Sequence, residues 1–121
     1  MADFCVTLRL ALPPDRANTR RHWSAQRRLE QQWALRATVD LANTQRRPTV
    51  PLRRFTAHVL VYTSRRSDLD NCTARLKKVW DTLKRLKWIE DDSSAHMTSL
   101  TVANGVDAKN PRIEVHICEA Q

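Results

Sequence analysis

The sequence predicts an α/β (α+β) fold in which one mixed sheet carries packed helices, with elements in the order β-α-β-α-β-β. Three observations carry that expectation. Four short segments alternate apolar and polar residues with period two, and two longer segments between them repeat their apolar residues every third or fourth position. The chain has 121 residues, 41% of them hydrophobic, enough for one core, so residues 1–121 read as a single domain.

The first strand runs from Phe4 to Leu12, where Phe4, Val6, Leu8, Leu10 and Leu12 alternate with Cys5, Thr7, Arg9 and Ala11 until Pro13 and Pro14 end it. A polar, arginine-rich loop from Asp15 leads through Asn18, Arg20, Arg21, His22 and Trp23 to Ser24, a helix N-cap residue type. The helix then extends to about Asn43, with Leu29, Trp33, Ala37 and Leu41 at four-residue intervals. Pro48, Pro51 and four arginines make residues 44–54 a surface loop. A second strand spans Phe55 to Thr63, with Phe55, Ala57, Val59 and Val61 on one side. The second helix covers Leu69 to Lys87, since Leu69, Cys72, Leu76, Val79, Trp80, Leu83 and Leu86 form one apolar stripe at about 100° per residue. Two last strands, His96 to Ala103 and Arg112 to Cys118, flank the turn residues Asn104, Gly105, Asn110 and Pro111 and read as a hairpin.

Composition narrows the function. Twenty-one Lys and Arg oppose thirteen Asp and Glu, a formal charge of +8 that points to a polyanionic partner. A single glycine, Gly105, removes the phosphate-cradling loops that need several. Three widely spaced cysteines, Cys5, Cys72 and Cys118, argue against zinc ribbons, thioredoxin-type motifs and disulfide frameworks, and read as small buried hydrophobes. With no signal peptide and no apolar run of membrane-spanning length, the expected protein is intracellular and makes no membrane contact.

The charge is segregated. Residues 16–54 hold ten arginines against Glu30 and Asp40, a local +8. Arg20, Arg21, Arg27, Arg28, Arg46, Arg47, Arg53 and Arg54 are the candidate contacts to a nucleic-acid backbone, with Arg65 and Arg66 bordering a second feature. That feature is acidic: Asp68, Asp70, Asp81, Glu90, Asp91 and Asp92 fall within 25 residues. On the helical wheel Asp70, Lys77 and Asp81 lie within about 40° of one another, away from the apolar stripe. Pair by pair, Lys77 with Asp81 and Asp81 with Arg85 are ordinary solvated helix pairs. Together, carboxylates beside a cationic surface repel a phosphate ligand, a conflict that Mg²⁺ resolves by binding carboxylates and phosphate oxygens at once. Trp23 and His22 are placed to stack on DNA, although an aromatic residue beside a helix start more commonly packs. Trp33, Trp80 and Trp88 are assigned to the core or to an interface between copies. His58, His96 and His116 show no ligand spacing, which argues against zinc.

The run Ser67-Asp68-Leu69-Asp70-Asn71, then Lys77, Asp81-Thr82-Leu83 and Asp91-Asp92, resembles the signature of the RusA-type Holliday junction resolvases of bacteria and their phages. There an Asp-Leu-Asp-Asn run opens a helix, a lysine precedes an Asp-Ala-Leu by four residues, and an Asp-Asp pair follows. Leu12-Pro13-Pro14 with Asn18, Arg21, His22 and Trp23 is similar to the family's opening, and the likeness thins only between Ala25 and Leu52. The resemblance implies catalytic and metal-holding acids at Asp68, Asp70 and Asp92, a catalytic lysine at Lys77, and supporting roles for Asn71, Asp81 and Asp91. Three extra residues separate Asn71 from Lys77, so counting forward from Asn71 lands on Ala74. Counting back from Asp81 restores Lys77, with Lys78 as the alternative. It further implies a homodimer that nicks four-way DNA junctions with Mg²⁺, or Mn²⁺ in its place, in the cytoplasm of a bacterium or phage-infected host. The alternatives carried beside it are a branched-DNA-binding protein that has lost the chemistry and a nuclease acting on other branched DNA or RNA.

Overall fold

The computed structural model describes residues 2–13 and 23–120. Pro14, Asp15, Asn18, Arg20, Arg21 and His22 lie outside the described residues, so the expectations placed on them stay with the sequence. The elements are β1 (Asp3–Leu8), α1 (Trp23–Ala42), β2 (Phe55–Thr63), α2 (Leu69–Arg75), α3 (Lys77–Arg85), β3 (Met97–Val106) and β4 (Arg112–Glu119). They form the mixed α+β arrangement that periodicity predicts.

The four strands make one sheet in the order β1-β4-β2-β3, with β4 antiparallel to both neighbours and β2 parallel to β3. The predicted hairpin between the last two strands does not form. Burial explains the outcome: Ile113, Val115 and Ile117 alternate along β4 and are almost fully enclosed, whereas β3 buries no residue fully. The more apolar strand therefore takes the centre of the sheet and the polar one an edge. The link between them crosses the end of β2, where Asp107 N–H donates to the Thr63 carbonyl at 2.9 Å. Arg112 then locks the crossing, its guanidinium stacked 4.0 Å from the Tyr62 ring centroid and paired with Asp107 and Glu114 at 2.9 and 2.8 Å.

One sheet face holds the core. Phe4, Val6 and Leu8 of β1 and Phe55, Ala57, Val59 and Val61 of β2 meet Trp33, Ala37 and Leu41 of α1 and the stripe of α2 and α3. The β1 ladder stops at Leu8, opposite Ile113, because β4 begins at Arg112 and offers no partner to Leu10 or Leu12. Those two leucines stay buried, and their segment is tied down by Trp33 Nε1–H on the Ala11 carbonyl (2.7 Å) and Arg75 Nε–H on the Pro13 carbonyl (2.8 Å). The loop over 44–54 is more ordered than its composition suggests, since Leu52 is buried and bridges Ile89. Ser24 lies within the described span of helix α1, Trp23–Ala42, and the Trp23 residue is 67% exposed. Gln26 and Glu30 take the buried positions that Leu29 was expected to fill.

The predicted helix 69–87 is two helices. Leu76 N–H bonds to the Thr73 carbonyl at 3.2 Å, a three-residue step that tightens the turn before α3 restarts. The apolar stripe survives the joint, with Cys72, Leu76, Val79, Trp80 and Leu83 buried, but Leu69 at its head is 45% exposed. At the far end Trp88 N–H reaches the Leu83 carbonyl (2.9 Å) and Lys87 N–H the Lys84 carbonyl (3.1 Å), the paired bonds of a Schellman cap. The cap requires a left-handed residue, and Lys87 fills it at φ 66°. Lys87→Gly should therefore stabilise the protein by about 1 kcal/mol, read as a higher denaturant midpoint at unchanged slope.

Candidate functional site

Because the Schellman cap reverses the chain after α3, the segment that follows it returns across the helix. Two lysines and three carboxylates meet there. Lys77 Nζ donates to Asp92 Oδ2 at 2.8 Å and lies 3.3 Å from Asp81 Oδ1. Lys84 Nζ lies 3.2 Å from Asp92 Oδ1, 3.3 Å from Asp91 Oδ1 and 3.6 Å from Asp81 Oδ1. Each Asp92 oxygen thus faces one ammonium, and Asp92 is the most enclosed of the three acids, its side chain 15% exposed.

These contacts set the charge states. Asp92 is pushed up by its partial burial, yet the hydrogen bonds from Lys77 and Lys84 outweigh that and hold it below the ordinary carboxylate value. Asp91 is drawn down to about 2, first by the Asp92 backbone N–H and then by the Ser93 hydroxyl. Lys77 and Lys84 are both raised, mainly by their hydrogen bonds to Asp92. Lowered acids stabilise the fold above their unfolded values near 4 and lose that contribution as pH falls through the folded ones. The Tm difference between wild type and Asp91→Asn should accordingly shrink as pH is lowered from about 5 to about 2, and scanning calorimetry across that range measures it.

The other candidates divide by position. Lys77, Asp81, Asp91 and Asp92 come together, the first two as neighbours on one helix face and the last two brought to them by the chain reversal after α3. Lys78 turns away towards α1, where its Nζ lies 3.7 Å from the buried Glu30 carboxylate, so Lys77 is the lysine that reaches Asp92. Asp68 and Asp70 are exposed at the entry to α2, Asp68 as its N-cap residue with no side-chain capping bond. Among the described residues neither carboxylate makes a hydrogen bond or ion pair. That entry is anchored by Asn104 Nδ2, which donates to the Ser67 carbonyl at 2.8 Å, and by Ser67 Oγ against Cys72 Sγ at 3.0 Å. Asn71 is half-buried beside it.

Lys84 was not among the sequence candidates, although the wheel contained the signal. Seven residues from Lys77 and three from Asp81, it falls on the same column as both.

Among the described residues, no three His, Cys, Asp or Glu side chains are gathered so as to hold a metal ion. The donor chemistry nevertheless suits Mg²⁺, since Asp68, Asp70 and Asp92 offer only hard carboxylate oxygens. At Asp92 the lysine ammonium groups occupy the places that attract a cation.

The described arginines Arg27, Arg28, Arg46, Arg47, Arg53, Arg54, Arg65 and Arg66 are all exposed. Arg46 lies over the Phe4 ring at 5.1 Å and Arg47 donates to the Leu86 carbonyl at 3.5 Å. Arg65 and Arg66 follow the opposite end of β2, next to Asp68. Cys72 is buried as expected, but Cys5 and Cys118 are exposed, because their strand positions place them on the sheet face away from the helices. His58 and His116 are cross-strand partners on that same face, with ring centroids 6.3 Å apart. Trp33, Trp80 and Trp88 are buried. No described helix is long and apolar enough to cross a membrane. Set against known proteins, the chain matches no protein-family model and no curated sequence.

Proposed function

We propose that this protein is a Mg²⁺-dependent, structure-selective endodeoxyribonuclease that cuts four-way DNA junctions by paired nicks. The observation that carries the reading is the convergence of Lys77, Lys84, Asp81, Asp91 and Asp92 on one side of α3 in a chain whose remaining surface is arginine-rich. A surface built only to bind phosphate gains nothing from such a concentration of carboxylate, because each acid repels the ligand.

On this reading Asp68, Asp70 and Asp92 would hold the Mg²⁺, which when bound supplies Lewis acidity towards the phosphodiester and lowers the cost of ionising the attacking water. The protein's own groups do the rest. Lys77 and Lys84 balance the carboxylates before substrate arrives, and either ammonium is free to turn onto the phosphate once its partner acid is engaged elsewhere. The exposed arginines hold the DNA backbone and read charge and shape without reading bases. A two-fold dimer would present two such sites to a junction of similar symmetry and so place nicks on opposite strands.

The test is incubation of synthetic four-way junctions with Mg²⁺ and either wild type or Asp70→Asn protein. Symmetric nicks from wild type and none from the variant are expected; equal products from both would refute the assignment. One observation favours a second reading, that of a branched-DNA-binding protein without hydrolysis: both Asp92 oxygens are already engaged by lysines. That reading predicts junction binding with no cleavage at any Mg²⁺ or Mn²⁺ concentration.

A further inference from the structure

Beside the charged cluster, α1 and α3 leave an open groove of about 530 Å³ between them. Its walls follow from helical spacing: Trp23 and Arg27 are one turn apart on α1, and Lys78, Asp81 and Arg85 recur at three and four residues on α3. Asp81 belongs both to this groove and to the lysine-carboxylate cluster, so the two are continuous. The acids of the groove are compensated from within the fold, Glu30 by Lys78 and Asp81 by Lys77 and Lys84. Arg27 makes no ion pair among the described residues, and Arg85 spends one donor on Thr38 Oγ1 at 2.7 Å, out of the five that a guanidinium carries. At the mouth stands Trp23, the one tryptophan of the four that is exposed.

We infer that this groove receives a short unpaired stretch of DNA strand, with Trp23 as the platform on which a base stacks and Arg27 and Arg85 facing its phosphates. The inference rests on the nuclease reading for its choice of DNA, and it adds where a strand unpaired at a branch point would lie relative to the cluster. Three features select this occupant. An indole beside guanidinium groups is the pairing that sequence-tolerant single-strand sites use, since every base has a π-face. A cleft between two packed helices, whose axes lie ~8–10 Å apart, is too narrow for a duplex, whose major groove alone is ~12 Å across. The compensated acids leave the arginines to set the sign of the groove.

The experiment uses the full chain without divalent metal, so that binding is measured apart from cleavage. A short oligodeoxythymidylate and a blunt duplex of equal length are titrated while tryptophan emission and binding are followed. The oligodeoxythymidylate should quench the emission, because Trp33, Trp80 and Trp88 are buried and the accessible indole is Trp23. Trp23→Ala should weaken its binding about fivefold to a hundredfold. Trp23→Phe keeps a stacking face and should bind within about threefold of wild type while losing the quench. All three proteins should share one Tm, since the side chain is exposed. Unchanged affinity in Trp23→Ala, quenching that persists in Trp23→Phe, or a duplex that quenches the Trp23 emission as strongly as the single strand would each overturn the inference; duplex held on the arginines elsewhere leaves that emission unchanged. Cleavage of four-way junctions by wild type, run in parallel with Mg²⁺, reports on the nuclease reading alone, so the two can fail separately.

Discussion

On the proposed nuclease reading, Asp92→Asn should slow Mg²⁺-dependent junction cleavage by at least about a hundredfold while leaving junction binding intact or tighter. The acid sits at the crossing point of the cluster, one oxygen facing Lys77 at 2.8 Å and the other facing Lys84 at 3.2 Å. Replacing it leaves a neutral amide oxygen where Mg²⁺ would use an anionic one, and so weakens the hold on an ion whose Lewis acidity would supply several kcal/mol of transition-state charge stabilisation. It also releases two ammonium groups from their strongest acidic partner, which raises the attraction for phosphate. Rate and affinity should therefore move in opposite directions, and single-turnover cleavage beside gel-shift binding resolves them. If the cluster only braced α3, cleavage and binding would be unchanged and the loss would appear in Tm alone.

Trp88→Ala should cost about 3–5 kcal/mol of stability and lower Tm by roughly 10–20 °C. Trp88 is 1% exposed, follows the left-handed Lys87, and packs edge-on against Phe4 with ring centroids 6.3 Å apart. Its carbonyl also accepts the Leu52 N–H at 2.9 Å, so it joins the 44–54 segment to the core. Removing the indole leaves a cavity bounded by elements that cannot collapse independently, because β1, α3 and Leu52 are each fixed elsewhere. Chemical denaturation of the purified variant measures the loss. A change below about 1 kcal/mol would mean that the site closes over the gap.

The contrast between β3 and β4 shows how far the residues alone could be read. Alternation in Phe4 to Leu8, Phe55 to Val61 and Ile113 to Ile117 identified the strands and their buried sides, because period two is a local property. Which strand lies beside which is not local. The turn residues between the last two strands suggested direct pairing, and the competition among strands for the centre of the sheet decided otherwise. The break at Leu76 was similarly hidden, since the apolar stripe passes through it unbroken and only the backbone bond to Thr73 reveals the change of pitch. At the site, the pairing of Lys77 with Asp81 is legible from helical spacing, whereas Asp91 and Asp92 stand out in the sequence only as an acidic run and through the resemblance. Asp70 shares a column with Lys77 and Asp81 only on a continuous wheel, which the joint at Leu76 interrupts, and Asp68 lies ahead of the helix altogether.

The position of β4 has a consequence for how the chain folds. β1 and β2 share no hydrogen bonds, and both take β4 as a neighbour, with Asp3 opposite Cys118 and Phe55 opposite Glu119. The sheet therefore stays open along its middle until residues 112–119 arrive, and the pairing that closes it joins segments more than a hundred residues apart. Closure on that scale carries a large loop entropy and marks a slow-folding topology. During synthesis β1 and β2 would wait with their facing edges unpaired, so β4, made after the other three strands of the sheet, is the one on which cooperative folding turns.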